Sequence, residues 1–284
     1  MTSPLINQNP PVVLTIAGFD PSSGAGVTAD VKTIAAHGCY GVSAITALTV
    51  QSTQGVRRVE PVDPKLLRES LDALVSDVKV SAVHIGMLAD GDVASEVAKF
   101  LVRAKLDNVV LDTVLASTSG DRLLDDAGRK VLAQNVLPLT KVVTPNAQEA
   151  SVLTAMEVIS TEDMKRAADR LREMGAQNAV VTGGHLEAAT DVLSLESGEV
   201  QVFKSEHIDS CFTHGTGCAF STSIACHIAQ GRPVAEAVLL AKAYVTAAIS
   251  NGYSIGEGIS PVNHMYRLKN HPGGLARKLA SGRN

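Results

Sequence analysis

Short runs of contiguous apolar residues alternate along this chain with stretches whose apolar positions recur every three to four residues. The runs PVVLTIAG, YGVSAITALTV, AVHIGM, NVVLD, KVVTPN and NAVVTGG read as buried strands. The periodic stretches read as helices: VTADVKTIAAHG closed by Gly38, PKLLRESLDALVSD with Pro64 in its first turn, DVASEVAKFLVRA, LLDDAGRKVLAQNV despite Gly128, AQEASVLTA, and EDMKRAADRLREM closed by Gly175. DVLSLESGEVQVFKSE alternates around Ser197-Gly198 and predicts a hairpin. Two long helices follow, one ending near Gln230 and one over PVAEAVLLAKAYVTAAIS. Apolar strands alternating with helices predict an α/β fold with a mainly parallel sheet covered on both faces. Polar loops then gather at the carboxyl ends of the strands, where such sheets bind ligands. There is no internal repeat or low-complexity linker, so residues 1–284 are expected to form one domain, with 1–11 and 267–284 as peripheral tails.

Composition narrows the function classes. Hydrophobic residues make up 45% of the chain and aromatics only 3%, with no Trp, so the core is built from Ala, Val, Leu and Ile. A net charge of −4 gives no electrostatic case for nucleic acid or an anionic membrane. No apolar run approaches the ~20 residues that span a bilayer. MTSPLINQNPP has neither the basic flank nor the apolar stretch of a secretory signal. Cys39, Cys211, Cys218 and Cys226 form no CxxC pair and have no histidine at metal-ligand spacing. They are expected to be reduced thiols in a cytoplasmic protein.

The segment THGTGCAFSTSIACHIAQ carries the most chemistry. Gly215, Thr216 and Gly217 leave the backbone bare before a helix marked by Phe220, Ile224 and Ile228 and stopped by Gly231. Unpaired amides at the positive end of a helix dipole form an anion cradle. Cys218 stands where loop becomes helix, and the dipole is expected to lower the pKa of its thiol. An anion cradle beside a potential base suggests phosphoryl transfer to a hydroxyl. The alternative is a glycine-cornered helix start with a buried cysteine.

The other strand ends supply polar groups. The first brings Gly18, Asp20 and Gly24-Ala25-Gly26, with Asp30 a turn into the helix; the second ends at Gln51; the third gives Gly86-Met87; the fourth gives Asp112 and Val114; the fifth gives Asn146 and Glu149; the sixth gives Thr182-Gly183-Gly184-His185. GAGVTA fits a dinucleotide-binding pattern, but FDPSS separates it from its strand and no acidic residue ends the second strand. Nor is it a Walker A loop, since no Lys-Ser/Thr pair follows. Its small residues suit a flat substrate lying against the backbone, with Asp30 either a polar anchor or a solvated helix residue. Asp112 and Glu149 end successive strands and could hold the Mg²⁺ that phosphates require. They could equally be a turn cap and an exposed helix residue. Met87 and Val114 could pack on an aromatic ligand or belong to the core.

GFDPSSGAGVTADVKT, ALTVQSTQGV, IGML, LDTVLASTSGD, TPNAQEA, GGH, HGTGC and IGEGISPVNH occur in this order between about Val12 and Tyr266. Together they resemble the hydroxymethylpyrimidine/phosphomethylpyrimidine kinases of thiamine biosynthesis, in the ribokinase-like superfamily. The resemblance implies a ribokinase-like three-layer α/β/α sandwich. It implies ATP-dependent phosphorylation of 4-amino-5-hydroxymethyl-2-methylpyrimidine, then of its monophosphate. Gly18, Ala25, Asp30, Gln51, Met87 and Val114 match pyrimidine-site positions, and Gln51 can offer a donor and an acceptor to an aminopyrimidine edge. Cys218 matches the catalytic base, and the amides of Gly215, Thr216 and Gly217 the anion hole. Asn146, Thr182 and His214 fall on the nucleotide side, Glu149 and Asp112 at the metal, and Gly256 to Asn263 in a loop near the nucleotide. A homodimer is implied on the same ground.

The sequence also departs from the pattern. Thr182 replaces the lysine of Lys-Gly-Gly-His, Thr118 that of Ala-Lys-Ser-Gly, and His84 that of Lys-Ile-Gly-Met. Val50-Gln51-Ser52-Thr53 stands for Ala-Gln-Asn-Thr, and Asn146-Ala147-Gln148-Glu149-Ala150 for Asn-x-Pro-Glu-Ala. The loss of Thr182 and Thr118 as lysines puts the second phosphorylation most in doubt. Other readings are a pyridoxal or pyridoxine kinase, a pyrimidine-binding protein with reduced kinase activity, and, remotely, a thiol hydrolase.

Overall fold

Val12–Phe19 (β1) is hydrogen-bonded along both edges and covered on both faces, which is why VVLTIAGF shows no alternation of polar residues. The computed structural model describes residues 9–117, 120–184, 189–205 and 208–270. Thr118, His185 and the outer parts of both expected tails lie outside them. Around β1 runs a nine-stranded sheet in the order β3-β2-β1-β4-β5-β6-β7-β8-β9. Its further strands are Tyr40–Ser52 (β2), Gly55–Pro61 (β3), Ala82–Ile85 (β4), Val109–Leu111 (β5), Val142–Val143 (β6), Asn178–Gly183 (β7), Ala189–Ser194 (β8) and Val200–Ser205 (β9). β2, β1, β4, β5, β6 and β7 are mutually parallel; β3, β8 and β9 pair antiparallel. The hairpin expected around Ser197-Gly198 is β8–β9.

β3 is absent from the sequence reading. In GVRRVEP only Val56 and Val59 pack against the apolar cluster beneath, each in part, and Arg58 and Glu60 pair with each other in solvent. Such a charged edge strand carries no hydrophobic period and resists adding further strands.

Helices Gly26–Ala36 (α1), Thr216–Ala229 (α7) and Val234–Ser250 (α8) cover one face. They pack on Val13, Ala82, Val110, Val142 and Val180 through Ile34, Phe220, Ile224, Ala237 and Ala241. Pro64–Asp77 (α2), Gly91–Ala104 (α3), Ala147–Thr154 (α5) and Thr161–Glu173 (α6) cover the other, against Leu14, Ile16, Val83, Ile85, Leu111 and Val143. Side chains two apart share a face. Thr15 and His84 therefore point toward α7, above Val13 and Ala82. The stretch LLDDAGRKVLAQNV is helical only from Asp126. Asp125 caps that helix, Asp126–Val131 (α4), by accepting from Gly128 N–H, and a wider turn over Leu132–Val136 follows.

β1 has β2 on one side and β4 on the other, so the winding reverses between β1 and β4. The crevice beyond their carboxyl ends is where an open parallel sheet receives its ligand. Phe19-Asp20 and Gly86-Met87 leave the sheet there.

Candidate active site

The start of α7 is seated over this crevice. Gly215 has φ +81°, and a Cβ on it would stand 1.9 Å from the Gly24 carbonyl oxygen. Only glycine allows the two loops to meet so closely. The Thr216 amide is spent on the Thr213 carbonyl at 3.3 Å, and the first helical bond runs from Ala219 N–H to Gly215 O at 2.9 Å. Of the three amides expected to form an anion cradle, that of Thr216 is thus turned away, while those of Gly215 and Gly217, and of Cys218 beside them, have no such backbone bond among the described residues.

Cys218 is half-buried, and its thiol lies beside the Asp112 carboxylate and the Gly26 amide. Burial pushes the thiol well above its ordinary value, and the charges of Asp112 and Asp30 push it further. The lowered pKa expected from the helix dipole is therefore reversed. Two carboxylates under a helix end outweigh roughly half a unit charge of dipole. Asp112, buried at the end of β5, is itself pushed up to about 6 by burial, against the pull of the His84 charge and the Cys218 hydrogen bond. The pair thus rests as a thiol on a carboxylate.

Asp30 is fully buried and does not reach the crevice as a ligand anchor. Thr15 Oγ1 donates to its Oδ2 at 2.6 Å and Thr222 Oγ1 to its Oδ1 at 2.9 Å, and His84 Nδ1 stands 3.3 Å from Oδ2. In the structure Asp30 anchors the underside of α7.

The residues matched to the pyrimidine otherwise assemble. A Cβ on Gly18 would meet Met87 Sδ at 2.9 Å, so glycine there lets Met87 pack against the end of β1. Met87 and Val114 share one small apolar cluster at the mouth of the sheet. Ala25 N–H donates to Asp20 Oδ2 at 2.9 Å, and Ser22 N–H to Oδ1 at 2.8 Å, so Asp20 shapes the first glycine loop. His214 Nε2 also lies 2.9 Å from Asp20 Oδ2 and 3.5 Å from Gln51 Nε2. His214, expected near the nucleotide, thus packs beside Gln51 and Asp20. Loop 256–263 is placed there too: Gly258 N–H donates to Thr53 Oγ1 at 3.2 Å, and His214 N–H to Ser260 O at 3.2 Å. A pocket of about 120 Å³ lies between Gln51, Thr53, Val56, Ser117, His214 and Ile259.

On the other side, Asn146 bridges to Thr182, and Thr182 N–H donates to Pro145 O at 2.9 Å. Asn146 and Glu149 form the capping box of α5. Glu149 also accepts from Thr113 Oγ1 at 3.0 Å and from Leu115 N–H at 3.3 Å. Burial, then the Asp112 charge, pushes Glu149 up to about 7 against those hydrogen bonds. A buried carboxylate raised by the charge of a second one fits a site for a divalent cation. No cluster of three or more metal-ligating side chains occurs among the described residues. Behind the β7–β8 turn, Lys242 of α8 donates to Asp191 Oδ2 at 2.7 Å and Ala189 O at 3.0 Å. This cation escapes the sequence reading because its lone signal was a lysine in an otherwise apolar helix.

A doubly wound sheet with a glycine-cornered helix start over its switch point is the architecture of the ribokinase-like small-molecule kinases. Residues 20–263 match the family described as phosphomethylpyrimidine kinase. The chain belongs to that family. It is 42% identical over 258 residues to the hydroxymethylpyrimidine/phosphomethylpyrimidine kinase of Salmonella typhimurium, covering 89% of this chain and 97% of the relative. It is 41% identical to the thiamine biosynthesis bifunctional protein ThiED of Geobacter sulfurreducens, of which it spans 52%. Among solved structures, a Bacillus subtilis pyridoxal kinase bound to ADP matches with a TM-score of 0.84 at 35% identity, over 92% of this chain and all (100%) of that one. A phosphomethylpyrimidine kinase from Clostridium difficile matches with a TM-score of 0.76 at 36% identity, over 84% of this chain and 99% of that one. No described helix is long and apolar enough to cross a membrane.

Proposed function

We propose that this chain phosphorylates 4-amino-5-hydroxymethyl-2-methylpyrimidine with ATP, and then its monophosphate, in thiamine biosynthesis. The observation that carries this reading is the Cys218–Asp112 pair at the mouth of the α7 anion hole, on a chain of this family. The substrate alcohol would lie at Gly18, Gln51, Met87 and Val114. As its oxygen attacks the γ-phosphoryl in line, its proton passes to Cys218 Sγ while the thiol proton passes to Asp112. That relay needs no resting thiolate, which burial and the two carboxylates disfavour. The amides of Gly217 and Cys218 face the charge on the transferring group. Asn146 and Thr182 would border the nucleotide, and Glu149 would hold Mg²⁺ with Asp112 near it. When bound, that ion would neutralise phosphate charge. A homodimer would form through β2 and β3, where Leu48 and Val50 are 51% and 55% exposed beside the Arg58–Glu60 pair.

The test is ADP release with Mg²⁺, run separately on the alcohol, its monophosphate and pyridoxal. Turnover of both pyrimidines above pyridoxal supports the reading. Turnover of the alcohol alone removes the second step. A preference for pyridoxal would move the chain to the second reading, which the similarity to the Bacillus subtilis pyridoxal kinase favours. Absence of turnover on all three overturns the kinase reading.

A further inference from the structure

His84 is a fully buried histidine in the middle of an apolar strand, and the mechanism above does not use it. Its two nitrogens face groups that fix its protons. Nδ1 stands 3.3 Å from Asp30 Oδ2 and 3.3 Å from Thr15 Oγ1. The single Thr15 proton is already given to Asp30 at 2.6 Å, so Nδ1 must donate. Nε2 lies 2.9 Å from Ser221 Oγ. The Ser221 hydroxyl has one proton and two helix carbonyls in reach, Gly217 O at 3.0 Å and Cys218 O at 3.1 Å. With that proton turned to the Gly217 carbonyl one turn back, as serines within helices bond, Nε2 donates to Ser221 Oγ as well. A histidine with two donors is an imidazolium.

We infer that His84 is a positioning residue: an imidazolium clamped between Asp30 and Ser221 that fixes the first turn of α7, and with it Cys218, against Asp112. The titratable groups around it are Asp30 from α1, Asp112 from the end of β5 and, beyond Ser221, Cys218 from α7; β1 contributes the Thr15 hydroxyl. Burial alone would lower the imidazole, but the charge and hydrogen bond of Asp30, with the Asp112 charge, raise it overall. A buried ion pair of this kind is poor value for stability. Its effect here falls on the site: Ser221 hands the polarity of the cation to the carbonyls of Gly217 and Cys218, and the positive charge favours the anionic form of Asp112. The role of His84 in turnover rests on the kinase reading; its charge does not.

The first experiment is nitrogen-15 NMR of the histidine rings in the full, unliganded chain, with H84Q assigning the signal. Both His84 nitrogens are expected to remain protonated at a pH where solvent-exposed histidines have become neutral. A His84 ring that turns neutral no later than those histidines, with one protonated nitrogen, would overturn the inference. This measurement stands on the wild-type chain whether or not the variant folds well. The second experiment compares kcat, KM and the pH profile of H84Q and H84K. H84Q is expected to lose at least about tenfold in kcat with little change in KM for the alcohol, and to shift the acid limb of kcat upward. H84K, which keeps a cation, is expected to restore most of kcat and the wild-type acid limb. A folded H84Q with wild-type kcat and acid limb would overturn the positioning role. If the wild-type chain turns over none of the three acceptors, the kinase reading fails while the NMR result still decides the charge on His84.

Discussion

The thiol of Cys218 lies beside the carboxylate of Asp112, although the two residues lie 106 positions apart and come from a helix start and a strand end. If the substrate proton reaches Asp112 through sulfur, neither residue works without the other. C218A and D112N should each lower kcat by about 10²–10⁴. The double variant should be scarcely worse than either single one, because both remove the same relay. Asp112 must be anionic to accept the proton and its folded pKa is about 6, so activity should be lost as pH falls through about 6. Steady-state kinetics on the four chains between pH 5 and 8 would check this. Additive losses would separate the two residues.

Gln51 is held by its oxygen. Thr49 Oγ1 shares its proton between the Phe19 carbonyl at 2.9 Å and Gln51 Oε1 at 3.1 Å. Gln51 Nε2 is 3.5 Å from His214 Nε2, which at 2.9 Å from the Asp20 carboxylate is itself a donor. Two N–H groups cannot pair, so the Gln51 amide is left to donate into the pocket. T49V should release that orientation and raise KM for the aminopyrimidine severalfold. Q51A should raise KM about tenfold or more, roughly 1–3 kcal/mol for one lost hydrogen bond. Michaelis constants for the pyrimidine and for pyridoxal, compared within each variant, would reveal whether Gln51 reads the ring. An equal loss on both acceptors would make it a general wall of the pocket.

The contact between Gly215 and Gly24 has no slack, since any Cβ on Gly215 meets the Gly24 oxygen at 1.9 Å and the backbone there has φ +81°. G215A should therefore cost about 1–3 kcal/mol of local strain. It should also displace the amides of Gly217 and Cys218 from the transferring phosphoryl. Denaturant unfolding and kcat would both fall, with kcat the more affected. G198A, at φ +85° with open space around it in the β8–β9 turn, is the control: it should lose stability without losing kcat per folded molecule.

Most of the sheet is legible in the sequence because β1, β4, β5, β6 and β7 are covered on both faces and must be apolar throughout. β3 is not legible, since a charged edge strand carries no hydrophobic period. The glycine loops and Gln51 are readable for another reason: bare backbone and a lone amide at strand ends have few structural uses. What the pattern does not carry is partnership across the sheet. A helix dipole can be inferred from THGTGC, but the carboxylates of Asp112 and Asp30 folded beneath it cannot, and they reverse the expected state of Cys218. Thr15 in VVLTIAGF and His84 in AVHI do leave a trace, as polar residues inside runs that are otherwise apolar. His214 is a residue whose neighbours in sequence suggest phosphate, while its side chain turns to Asp20 and Gln51.

Leu48 and Val50 project from β2 with Glu60 and Arg58 opposite them on β3. An apolar pair rimmed by an ion pair, on a sheet edge, suits a two-fold contact between copies. L48D/V50D should shift a dimer to monomer in light scattering at micromolar concentration. A wild-type chain that is already monomeric at millimolar concentration would remove the dimer from the proposal.

Glu149 connects stability, pH and Mg²⁺. Its folded pKa is raised to about 7 from 4.5 by burial and by the Asp112 charge. The folded state therefore holds a proton that the unfolded chain gives up. The contribution of Glu149 is fully present below about pH 4.5 and is lost as pH rises to about 7. Wild-type Tm should fall across that window relative to E149Q, whose amide does not titrate, at roughly 2–4 °C for each kcal/mol. Other groups move the absolute curve. Burial holds His37 and His264 at about 4, which takes stability away at low pH, so the difference between the two chains is the informative quantity. Mg²⁺ should raise wild-type Tm at pH 7.5, where the two carboxylates repel, and should do little at pH 5, where they are largely protonated. E149Q should lose most of that Mg²⁺ response. It should also lose a smaller increment above about pH 7, where the ionised carboxylate serves the capping box with Asn146 at the N-terminus of α5 better than an amide does. Equal Mg²⁺ responses in E149Q and wild type would place the ion elsewhere and leave Glu149 as a cap alone.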